Sequence, residues 1–125
     1  MSDLFEIVSE VSDSRLVYRG KSPTSARGAL NLSIRKWQFI ANHPGPYADG
    51  GGTTCGLCML YRFDCDKCPV GVYTGSEFCC GTPYYMHRVT CIQTPFDQEK
   101  AARLAREFVD LLVEIKHHPE VWRGK

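Results

Sequence analysis

No stretch of the 125-residue chain approaches the roughly 18 consecutive apolar residues that a membrane-spanning helix needs, so no contact with a membrane is expected. The opening residues, MSDLFEIVSEVSDS, carry acids where a secretory signal needs a basic region followed by an apolar run. The expectation is a soluble, cytoplasmic protein. In that reducing compartment seven cysteines, an odd number, do not suit a disulfide framework, which leaves metal binding, redox chemistry or buried thiols. Charge of one sign is missing in two places. Residues 1–13 hold four acids and no base; residues 14–48 hold six bases (Arg15, Arg19, Lys21, Arg27, Arg35, Lys36) and no acid. Only that second stretch can offer an anion-binding surface.

Catalytic motifs are also lacking. Ser, Asp and Glu occur in no nucleophile pattern, which leaves hydrolase chemistry without support. Gly50-Gly51-Gly52 is followed by neither Lys-Ser/Thr nor an immediate helix start, so it reads as a linker rather than a phosphate cradle. His43, His87, His117 and His118 show no ligand spacing to one another or to the cysteines, and are taken as structural or solvated.

What the chain does have is CGLCMLYRFDCDKC at residues 55–68, two Cys-x-x-Cys pairs separated by six residues. Each such turn can bring two thiolates to one cation, and two turns supply the four tetrahedral ligands of structural zinc. Cys55, Cys58, Cys65 and Cys68 are therefore candidate ligands, with Lys67 beside them to offset the negative charge of a four-thiolate centre. Cys79-Cys80 complicates the set: Cys79 either replaces one of the four or is a buried neighbour. An iron–sulfur cluster is the alternative cofactor, since Cys68-Pro69 resembles the end of a cluster-binding run. In a thiol redox protein, Cys79, Cys80 or Cys91 would exchange electrons or disulfides; otherwise Cys91 reads as a buried thiol.

The length fits one domain, and the patterning predicts an α+β fold. Residues 2–11 fit helix and strand, with a lean to helix; residues 15–20 alternate as a strand with Arg15, Val17 and Arg19 on one side. A helix over 26–42 starts from Ser22-Pro23-Thr24-Ser25 and carries Leu30, Ile34, Trp37 and Ala41 as its apolar stripe. Residues 84–92 read as a strand. A C-terminal helix spans about 96–118, opened by Thr94-Pro95-Phe96-Asp97, which resembles a capping box. Between these elements a zinc knuckle over about 53–86 is expected to organise the domain.

Residues SIRKW (33–37), the Asp-Gly at 49–50, CGLC, CDKCPV and TGSEFCCGTPYY (74–85) together resemble a family of short cysteine-rich proteins of unassigned function, common in phage and prophage genomes. The resemblance covers about residues 30–86 and implies that Cys79, the cysteine before x-Gly-Thr-Pro-Tyr, is a ligand. It also implies an accessory protein acting against host systems in the host cytoplasm, but no particular reaction. The functional expectation is a non-enzymatic, metal-stabilised binding module. Its anionic ligand, a nucleotide, a nucleic acid or the acidic surface of a host protein, would meet Arg15, Arg19 and Lys21. These cations lie close to a helix start that also favours anions.

Overall fold

A computed structural model of the chain describes residues 5–10, 13–43, 56–62, 67–75, 82–93 and 95–122. The order of elements is β1 (Phe5–Glu10), β2 (Asp13–Tyr18), α1 (Ala26–Asn42), α2 (Gly56–Tyr61), α3 (Pro69–Thr74), α4 (Pro83–Ile92), α5 (Gln98–Lys116) and α6 (Pro119–Trp122). The expected α+β domain organised by a zinc knuckle is corrected by this order. Among the described residues the fold is mostly helical, its sheet is one two-stranded hairpin, and its centre is the pairing of α1 with α5.

The α1–α5 core follows directly from spacing. Leu30, Ile34 and Trp37 recur at helical period on α1, and Ala101, Leu104, Ala105, Phe108, Leu112 and Ile115 do so on α5; all are buried. Trp37 sits at the junction, 1% exposed, with edge-on ring contacts to Phe108 of α5 at 5.1 Å and to Tyr84 and His87 of α4 at 5.6 and 4.9 Å. Helix α1 starts where expected, with the Ser25 hydroxyl accepting from the Gly28 N–H at 3.1 Å. Helix α5 starts later than the Thr94 box suggested: the Asp97 carboxylate accepts from the Lys100 N–H and is the cap.

Two elements change type. Residues 5–10 form a strand, antiparallel to β2 with Phe5 opposite Tyr18. Their two rings lie 5.2 Å apart, and Phe5 is buried with Leu16 against the core. Residues 83–92 are helix, not strand. Thr82 caps α4 by accepting from the Tyr84 N–H, and Pro83 occupies its first turn. Its buried residues, His87 and Thr90, are polar, so the apolar period that marks a helix is missing from this stretch. At the other end of the molecule the Trp122 indole donates to the Ile115 carbonyl and lies beneath the Arg27 guanidinium, which fastens α6 to α5 and to the start of α1. No helix among the described residues is long and apolar enough to cross a membrane.

Candidate functional site

The cysteine pairs are carried by α2 and α3, six residues each. Isolated helices of that length do not persist in water, so each must be held from outside itself. Helix α2 is seated on α1 by backbone proximity. Gly56 lies so close that a Cβ there would stand 2.6 Å from the Ala29 carbonyl oxygen and 2.9 Å from the Leu32 Cβ. The Ser33 hydroxyl, itself buried, accepts from the Leu57 N–H at 3.2 Å, and Leu57 enters the core. Two of the motifs singled out in the sequence, SIRKW and CGLC, are thus the two sides of one contact. Helix α3 is anchored by buried Pro69 and Val70 and by a hydrogen bond of 2.6 Å from the Tyr73 hydroxyl to the Glu114 carboxylate of α5; that bond holds the Tyr73 hydroxyl above its ordinary pKa.

Cys58 and Cys68 are each adjacent to these anchors. Cys58 follows Leu57 in α2, and Cys68 is the residue before Pro69, in extended backbone at the start of α3; both are partly buried. Cys55, Cys65 and Cys79 lie outside the described residues, as do Cys80 and Gly50-Gly51-Gly52. Among the described residues no three His, Cys, Asp or Glu side chains converge on one point.

Tyr61 shares α2 with Cys58 and feels the charge of Cys68. It lies three residues after Cys58 on α2, and its hydroxyl is buried with no hydrogen-bond partner among the described residues. Burial, then the negative charge that Cys68 carries when ionised, raises the Tyr61 hydroxyl above its ordinary pKa. A neutral O–H therefore stands in the electrostatic field of one candidate ligand and on the same helix as another. Buried hydroxyls are ordinarily satisfied, and leaving one unmade costs about 1–3 kcal/mol. Directly after Tyr61 the chain turns at Arg62, which takes φ 52°, a left-handed conformation unusual outside glycine; the Arg62 N–H bonds to the Cys58 carbonyl. The segment carrying Cys65 leaves from that turn.

Of the basic candidates, Arg19 is engaged locally. The Arg19 Nε donates to the Glu6 carboxylate on the neighbouring strand, with both side chains exposed, so one of the three charges is already matched. Lys21 is exposed, and its carbonyl accepts from the Tyr18 hydroxyl. Arg15 is held in β2 opposite Val8. An open groove between α1 and α5 brings Arg103 and Arg106 beside Glu107 and Asp110, and its charges offset one another.

Three of the histidines make local contacts near the surface. His43 stacks on Phe39, His117 bonds to the Val113 carbonyl and His118 pairs with Glu120. His87 is different. It is 2% exposed, and the Cys91 sulfur lies 3.8 and 4.0 Å from its two ring nitrogens, an i,i+4 contact that only helix produces. Reading residues 84–92 as a strand hid that pair. Lys36, the fourth residue of SIRKW, is likewise a surprise: it is 1% exposed, where a lysine ordinarily reaches solvent. Comparison with family models, with curated proteins and with solved structures returned no match.

Proposed function

We propose that the chain is a non-enzymatic binding module whose cysteine-bearing segment is closed by one zinc ion, held by four of Cys55, Cys58, Cys65, Cys68 and Cys79. The observation that carries this reading is the orphaned Tyr61 hydroxyl. Ionised thiolates bound to zinc accept hydrogen bonds from neighbouring donors, and such outer contacts orient the ligands and tune their charge. Tyr61 supplies a donor of that kind, already dry and within the electrostatic reach of Cys68. Zinc fits the donor set because thiolates select it over harder cations, and four-sulfur coordination leaves no position for a substrate. The ion's role is then to cross-link α2 and α3 to each other on a core that is apolar in its own right.

Zinc content of the purified native protein, read by mass spectrometry, tests the reading: one ion per chain is expected, reduced by Cys58→Ser and by Cys68→Ser. A brown protein with visible absorption bands would assign an iron–sulfur cluster instead. Tyr61→Phe separates the two states. With zinc bound it should weaken retention of the ion; without zinc it should leave stability unchanged or raise it, because an unsatisfied hydroxyl has been removed.

The motif resemblance over about residues 30–86 extends the proposal to an accessory protein of phage or prophage acting on a host component. Its contact surface in this reading is the exposed end of the hairpin, where Lys21 and Arg19 precede the start of α1. An anionic ligand there has to share or displace the Glu6–Arg19 pair. Binding to a panel of nucleotides and nucleic acids should therefore rise in Glu6→Gln and vanish in the Arg15, Arg19, Lys21 triple alanine variant, with zinc content unchanged in both. Equal binding by all three proteins rejects this surface.

A further inference from the structure

We propose that the outward face of α4 is a docking surface for an acidic amphipathic helix of a partner protein, an inference that stands apart from the zinc reading. Helix α4 is built inside out. A helix on a globular core ordinarily turns its apolar stripe inward and its polar side to water. Here the fully buried residues are His87 and Thr90, while Tyr85, Val89 and Ile92 recur at i, i+4 and i+7 on the opposite side, with Met86 beside them. Ile92 is 79% exposed, Tyr85 46% and Met86 42%, with Val89 partly buried between them. Among the described residues Val72 of α3 is the one other exposed large apolar side chain. A single exposed apolar residue is ordinary. A stripe at helical period, opposite a polar buried side, marks a surface that a second apolar surface covers.

The stripe is one helix wide and about 15 Å long, from ten residues at about 1.5 Å each. That shape suits another helix packing ridge into groove, in a contact of the small, transient class. Charge decides what the arriving helix carries. Arg88 lies along the stripe, three residues after Tyr85 and four before Ile92, it is exposed, and α4 has no acid. Helix α1, which meets α4 at Trp37, holds Arg27, Arg35 and Lys36 and no acid. Helix α5, packed against both, holds four acids and four bases, so the setting of the stripe is positive on balance. A second copy of this chain is the poorer occupant. Two α4 helices packed antiparallel about a two-fold axis at the middle of the stripe bring Arg88 against Arg88, whereas a partner carboxylate there is attracted. The remaining rivals are segments of this chain outside the described residues, which carry Asp49, Asp64, Asp66 and Glu77.

Two synthetic helical peptides serve as probes, each with leucine at i, i+3, i+4 and i+7, one with glutamate on the flanks and one with lysine. They are titrated against the full chain as wild type, as the Tyr85→Gln, Ile92→Gln double variant and as Arg88→Glu. Wild type should bind the glutamate peptide about 10-fold more tightly than the lysine peptide. The double variant should lose about 10-fold of that affinity, and Arg88→Glu should reverse the preference. All three side chains are exposed, so neither variant should melt below wild type. Equal binding of the two peptides, binding of neither, or an unaltered double variant overturns the proposal. Sedimentation and melting test the other occupants. A wild-type dimer that the double variant dissolves assigns the face to a second copy, and a double variant that melts well below wild type assigns it to a segment of the chain itself; either result overturns the proposal.

Discussion

The α1–α5 pair and the α2–α3 segment are built on opposite principles. Each long helix sends a continuous apolar stripe into the core, ending in side chains with no exposure at all, such as Leu30, Leu112 and Ile115. Each short helix contributes one fully buried aliphatic side chain, Leu57 or Val70, with Gly56 or Pro69 beside it and only partly buried neighbours, Met59, Leu60 and Tyr61 or Tyr73, around it. Burying one such side chain is worth about 1.5–3 kcal/mol, against about 1–2 kcal/mol of backbone entropy for every residue fixed. Deep packing holds the first region; the second is held by shallower packing and single hydrogen bonds, and its sequence is where the cysteines are. The zinc proposed above would there secure an attachment rather than a core, the reverse of the knuckle-centred domain that the cysteine spacing alone suggests.

The sharpest way to break this contrast is at the shared centre. Trp37→Ala removes the ring on which α1, α4 and α5 all converge, and should cost about 3–5 kcal/mol in urea unfolding, with both regions lost in one transition. Gly56→Ala attacks only the attachment. Its new methyl meets backbone oxygen at 2.6 Å, so α2 has to lift by about 1–3 kcal/mol of overpacking. Hydrogen exchange should then speed up at Leu57 and Cys58 amides and stay slow along α5. If α5 amides speed up equally, the two regions are one cooperative unit. Ser33→Ala should do the same more gently, at about 1–2 kcal/mol, by leaving the Leu57 N–H without its acceptor. Smallest is Arg62→Gly. The left-handed backbone there suits glycine, so this change should stabilise α2 by about 0.5–1 kcal/mol and raise the melting temperature slightly.

The two long helices were legible because their inward faces are apolar at a period of 3.6, and even their boundaries fell within a few residues. Helix α4 was not, although Thr82-Pro83 is a start signal of the kind read at Thr94-Pro95: its inward face is His87 and Thr90, which carry no hydropathy signal, and its aromatic and β-branched residues favour a strand by propensity. Helices α2 and α3 are too short to show a period. The cysteine spacing suggested a ligand set; of its five members the described residues include Cys58 and Cys68, which stand beside core anchors. Tyr61 and Lys36 were invisible, because a tyrosine in an aromatic-rich loop and a lysine in a basic helix are ordinary in sequence. Only burial makes either of them informative. The basic stretch was legible as composition; the pairing of Arg19 with Glu6 depended on strand register, which the ambiguous residues 2–11 did not disclose.

The chain's two indoles occupy unlike settings, one wedged among the rings of α4 and α5, the other pinned under a guanidinium at the terminal turn. Emission from the molecule is therefore a sum of two local optical signals, and replacing either indole with phenylalanine would let a spectrometer follow the interior and the tail separately. Loading or stripping of an ion near α2 should move the spectrum of the first and leave that of the second where it was.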